Sequence, residues 1–209
     1  MIPAVGFEVT GARHVPHAAA PTIAFALTAA DDSGREVYTV ALTAQIQIAP
    51  IQRRHDDVTR ARLRDVFGDP ERWGDTARGV TWATQQLLVP SFRGSRDFEL
   101  VLPCNADLEL ATTRYFEAVP DGIVPLVFHF SGSIFYCGDE DRMQLAQVDW
   151  STTAPFELPV AVWQAATSGR GGLVRVGDET FAALQREQAD RGLPTVDAVV
   201  SELLTVRAP

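Results

Sequence analysis

The sequence has no lysine: all 18 of its basic side chains are arginine. That absence excludes Schiff-base catalysis through lysine, a phosphate-loop lysine and a kinase-type lysine. Asparagine occurs once, at Asn105, which narrows the room for a papain-like cysteine, histidine and asparagine set. Cysteine occurs twice, at Cys104 and Cys137, too seldom for a disulfide framework and in keeping with reduced thiols. Basic charge is scarce, with 18 basic against 27 acidic side chains and a net charge of −9. A nucleic-acid backbone or an anionic membrane calls for a basic face, so neither is expected as a partner. No apolar run approaches the roughly 20 residues that a spanning helix needs. The first ten residues, MIPAVGFEVT, lack the basic region and apolar core of a signal peptide. These features together point to the cytoplasm.

What is present is an ordinary globular composition, 46% hydrophobic and 22% charged, in a length that suits one large domain or a domain with an appendage. Ile23, Phe25 and Leu27 alternate with smaller residues and end at an Asp31-Asp32-Ser33-Gly34 turn. Tyr38, Val40, Leu42, Ala44, Ile46 and Ile48 then place one apolar face along a long strand. Further strands are expected from Asp97, over Leu108–Glu117 with Tyr115 and Phe116 on opposite faces, over Val124–Tyr136, and over Met143–Trp150. Between Gln52 and Pro90 the pattern changes. Asp56–Phe67 reads as a short helix, capped by Asp56 or Asp57, with Val58, Ala61 or Arg62, and Val66 inward, and ended by Gly68. Trp73–Leu88 reads as a second helix, with Trp73, Ala77, Val80, Thr84, Leu87 and Leu88 on one stripe.

The C-terminal part reads as helical. Pro159 opens a helix with Val160, Val162 and Trp163; Asp178 caps another that Gly192 ends; Thr195 caps the last. Val196, Val199, Val200, Leu203 and Leu204 give that last helix an apolar stripe, to be covered by the sheet or by a second copy of the chain. Ala166–Gly172 is the glycine-rich hinge candidate. The expected fold is therefore α+β: an antiparallel β-sandwich, or a single curved sheet, of about seven strands. It carries a helical insertion at about 56–89 and a helical C-terminus. The expected domains are 1–165, with the insertion at 52–90, and a helical segment 173–209 packed on it.

The motifs give no catalytic constellation. His14 and His17, His55 beside Asp56 and Asp57, and Asp139-Glu140-Asp141 lack metal-site spacing and read as loops, caps and a solvated turn. Ser131-Gly132-Ser133 lies within a strand rather than at a nucleophile elbow. Gly169-Arg170-Gly171-Gly172 lacks the strand–loop–helix frame of a phosphate loop. Cys104 and Cys137 read as buried free thiols, His129 as a hydrogen-bonded or edge residue of its strand, and the four tryptophans as core or interface anchors. No residue is assigned a catalytic, cofactor-binding or metal-binding role.

Several segments resemble an uncharacterised, mostly actinobacterial family. They include Ala44-Gln45-Ile46-Gln47-Ile48, Gln52-Arg53-Arg54, Leu102-Pro103-Cys104, Phe130-Ser131-Gly132 and Leu158-Pro159-Val160-Ala161-Val162-Trp163. The most specific is Phe67-Gly68-Asp69-Pro70-Glu71-Arg72-Trp73-Gly74-Asp75-Thr76. The resemblance spans nearly the whole chain. Some members of that family are encoded beside [NiFe]-hydrogenase and maturation genes, which implies an accessory or assembly role by association. A weaker likeness to the export chaperone SecB, from Phe7 through Val37-Tyr38-Thr39-Val40, implies binding of unfolded chains. The leading expectation is a non-catalytic protein that binds a hydrogenase subunit or precursor. Asp69, Glu71, Arg72, Trp73 and Asp75 are the expected partner-binding residues. An enzyme using a cysteine–histidine or histidine–aspartate pair is the remaining alternative.

Overall fold

The computed structural model describes residues 2–76, 79–104, 110–168 and 176–205. Its elements are β1 (Gly6–His14), β2 (Thr22–Ala30), β3 (Val37–Ile48), α1 (Asp57–Phe67), α2 (Trp73–Thr76), β4 (Val80–Val89), β5 (Ser95–Pro103), α3 (Leu110–Ala118), β6 (Ile123–Cys137), β7 (Met143–Gln147), β8 (Thr153–Pro159), α4 (Val160–Thr167), α5 (Asp178–Arg191) and α6 (Val196–Thr205). The fold is α+β, with eight strands in two antiparallel sheets and a helical C-terminal part among the described residues. One sheet has the order β1-β2-β5, the other β4-β3-β6-β7. The 15-residue β6 pairs with β7 along Ser133–Cys137 and with β8 along Ile123–His129.

The sheets face each other through aromatic side chains, as two half-buried sheets with period-2 patterning must. Phe7 of β1 meets Phe130 of β6 at 4.8 Å between ring centroids, and Phe25 of β2 meets Phe128 at 5.2 Å. Val40, Leu42, Ala44, Ile46 and Ile48 line the buried face of β3 as their alternation requires. Tyr38 does not join them. A register shift against β6 between Val37 and Thr39 puts Val37 inward and Tyr38 outward.

Three expectations from the sequence are corrected. The helical insertion is shorter than 56–89, because Val80–Val89 is a strand beside β3, with Val40 opposite Val89 and Ile48 opposite Val80. Gly79 and the β-branched Val80, Thr81 and Thr84 favour that state over a helix. The segment 110–118 is the helix α3 rather than a strand. Thr112, Tyr115, Phe116 and Val119 are all buried, and their spacing of three, four and seven is a helical face. In α1 the inward face is Thr59, Leu63 and Phe67, while Val58 stays 62% exposed.

The chain divides into two compact units, 1–170 and 171–209. The second holds α5 and α6. Gly192, at φ 63°, ends α5, and Thr195 Oγ1 accepts from Ala198 N at the start of α6. Arg191 ties the two helices together, reaching Glu187 at 2.7 Å and Glu202 at 3.3 Å. The glycine-rich stretch 169–172, and with it most of the hinge candidate, lies outside the described residues.

Candidate functional site

The segment between β3 and β4 is built on an aromatic box. A single turn of tight helix at Pro50–Gln52 leaves the edge of β3. Asp56 then caps α1, its carboxylate accepting from Thr59 N at 2.6 Å, and that bond holds the Asp56 carboxyl below its ordinary value. Gly68, at φ 75°, closes α1 where a side chain would strain the backbone. The next turn, Pro70–Arg72, runs into α2.

Trp73 is the anchor of this segment. It is only 7% exposed, and its indole N–H donates to Gly68 O at 3.0 Å. Its ring lies edge-on to Phe67 at 5.7 Å and to His55 at 5.6 Å. Tyr115 of α3 closes the box, 5.9 Å from His55 and 6.1 Å from Phe67. Above this base the turn is pinned a second time, Arg64 Nε donating to Asp69 Oδ1 at 2.9 Å. Asp69, Glu71 and Arg72 are exposed, and Asp75 sits in α2. Four of the five sequence-predicted residues thus fall on one turn and its helix, with Trp73 as their buried support.

His55 is 8% exposed, and its Nε2 lies 3.0 Å from Pro50 O. A carbonyl only accepts, so Nε2 carries the hydrogen and Nδ1 presents a lone pair. Burial pushes the imidazole below its ordinary value, and the charges of Arg53 and Arg60 push the same way. Nδ1 and the Tyr115 hydroxyl are both buried without a hydrogen-bond partner among the described residues. Burial pushes the Tyr115 hydroxyl up to about 12. Beside the box opens a cleft of about 470 Å³, walled by His55 and Trp73 and rimmed by Arg53, Arg54, Arg60 and Glu71.

The other singled-out residues lie elsewhere. His14 ends β1, His17 adopts φ 59°, and both line a separate cleft. His129 stands in β6 opposite Gln45 and Thr153. Asp139 is held by Arg35 at 2.8 Å, which keeps its carboxyl low. Cys104 follows β5 in one sheet and Cys137 ends β6 in the other; neither is in a disulfide, and Cys137 is half-buried rather than buried. The Cys137 thiol points to Gly138 O and to Asp141 Oδ1 at 3.5 Å. Trp73, Trp82 and Trp163 are core residues, whereas Trp150 is 91% exposed. Among the described residues no group of three histidine, cysteine or acidic side chains is arranged to hold a metal. None of the described helices is long and apolar enough to cross a membrane. Sequence reasoning missed Tyr115 as a wall of the box, although its buried spacing with Thr112, Phe116 and Val119 carries the signal.

The chain belongs to the DUF6084 family, a family of unknown function whose model matches residues 2–209. No curated protein matches it. Among solved structures it is similar to a Bordetella pertussis protein named ApaA, at 13% identity and a TM-score of 0.27, over 75% of this chain and 93% of that one. It is also similar to β-glucosidases. That of Kluyveromyces marxianus shows 5% identity and a TM-score of 0.27, over 75% of this chain and 15% of that one. β-Glucosidase 3B of Thermotoga neapolitana shows 9% identity and a TM-score of 0.26, over 74% and 17%. The chain thus spans less than a fifth of the glucosidases it matches. Likenesses this distant carry no functional argument.

Proposed function

We propose that this member of the DUF6084 family is a non-catalytic accessory protein that binds a protein partner through the turn Gly68–Thr76. One observation carries the reading: three charged side chains, Asp69, Glu71 and Arg72, are exposed on a turn held from behind by Trp73. A turn fixed this way presents its side chains with little ordering cost on binding, which favours recognition. The partner suggested by the family resemblance is a [NiFe]-hydrogenase subunit or precursor, encountered in the cytoplasm.

Affinity capture from the native host with the wild-type chain and with a Glu71→Ala, Arg72→Ala variant, which leaves the Arg64–Asp69 pin in place, tests this. The wild type is expected to recover a reproducible partner that the variant loses while keeping its melting temperature. Equal recovery by both, or no reproducible partner, would count against the turn. Recovery of many unrelated unfolded chains would instead favour the chaperone reading.

A further inference from the structure

We infer that the cleft between Pro50–Arg60 and Pro70–Gly74 is a binding site for a small anion carrying phosphate or carboxylate oxygens. The inference stands apart from the partner-binding reading and needs no protein partner. Its first support is local charge. In a chain with a net charge of −9, three arginines, Arg53, Arg54 and Arg60, line one cleft against a single carboxylate among the described lining residues, Glu71.

The three guanidinium groups are in different states of engagement, and the differences matter. Arg53 is fixed: its side chain is 17% exposed, it donates to Ile123 O, and Asp121 lies 3.7 Å away. A guanidinium has five N–H donors, so these contacts leave several to aim at a ligand. Among the described residues Arg60 meets only Asp57, at 3.5 Å, a carboxylate in full solvent and so a weak competitor. Arg54 is exposed and has no hydrogen bond or ion pair among the described residues. One arginine held rigid and two available ones on the same rim suit the planar, forked recognition of phosphate or carboxylate.

The cleft's volume, about 470 Å³, is that of a small-molecule pocket. Its aromatic wall is already ordered, with Trp73 and His55 edge-on at 5.6 Å. Burial, and after it the charges of Arg53 and Arg60, push the His55 imidazole below its ordinary value, so the cleft's cationic character comes from its arginines. The occupant is a small anion rather than a polyanion. Asp56, Asp57 and Asp69 stand exposed around the arginines and would repel a chain of negative charges that reached beyond the cleft.

The test is a titration of the full chain with inorganic phosphate and, separately, with citrate, at constant ionic strength set by chloride. Binding is read by calorimetry and by the NMR signals of the His55 ring and the Trp73 indole. Saturable binding of at least one anion that moves both signals is expected. An Arg54→Ala, Arg60→Ala variant should bind at least about tenfold more weakly at unchanged melting temperature, since each bidentate contact is worth about that factor. Arg13→Ala, which removes an arginine paired with Glu99 at the far sheet, should bind as the wild type does. Saturation by phosphate alone, citrate alone or both supports the site and assigns its ligand class. No saturable response to either anion, or one that the double variant and Arg13→Ala leave equally intact, overturns it.

Discussion

Gly132 sits in β6 at φ 151°, directly against β3, where a Cβ would lie 2.1 Å from Ala41 O. No rotation relieves that contact, because the Cβ is fixed by its own backbone and the atoms it would meet, Ala41 O and C and Leu42 Cα, are backbone as well. Gly132→Ala is therefore expected to cost about 3 kcal/mol or more, the upper range for strain and overpacking, read by urea denaturation. His55 supplies a second test at the level of one side chain. Its folded value is depressed, so below about 6.5 the unfolded chain takes up a proton that the folded chain refuses. Stability then falls as pH drops through the unfolded value and toward the folded one, and rises again on return. Replacing the ring in His55→Phe should flatten that part of the stability–pH curve. An unchanged slope would mean that the imidazole titrates normally in the folded state.

At the scale of elements, α1 shows what packing adds to pattern. Leu63 is fully buried and Phe67 nearly so, while Val58 is solvent-facing. Leu63→Ala should cost about 3 kcal/mol as a core truncation, and Val58→Glu should stay within about 0.5 kcal/mol as a surface change. Equal costs would restore the face of Val58, Ala61 or Arg62, and Val66. The sheet strands β2, β3 and β6 were legible because their alternation runs long enough to leave one reading. The start and end of α1 were legible because Asp56 and Gly68 each do a job that few other residues can. The segment 80–89 was not, because its apolar residues satisfy a spacing of three and four as well as pairing with β3, and only the neighbouring strand decides between them. In 110–118, adjacent Tyr115 and Phe116 mimic alternation, whereas in the helix they face different partners. Phe116 stacks on Trp163 at 4.2 Å and Tyr115 joins the box with His55. The candidate turn could be read in the sequence, but the cleft beside it could not. The cleft needs Arg53 at the end of one element and Trp73 some twenty residues on.

At the scale of the whole molecule, the chain is two units, with the aromatic sandwich and its helical insertion in the first and the helices α5 and α6 in the second. The α6 stripe is not uniformly covered: Val199 is buried, Leu203 is 40% exposed and Leu204 more so. Leu203→Asp is expected to lower the melting temperature or to convert a dimer to a monomer, because it sets a charge on that stripe. Light scattering and a thermal scan read both, and no change in either would refute it. The central claim is that the Gly68–Thr76 turn is where a partner docks. Hydrogen–deuterium exchange on the chain alone and on the chain bound to its captured partner tests that most directly. Slowed exchange concentrated in residues 68–76, with the amides of β7 unchanged, is the predicted result. Protection confined to another surface, such as the stretch from Met143 to the exposed Trp150, would contradict it.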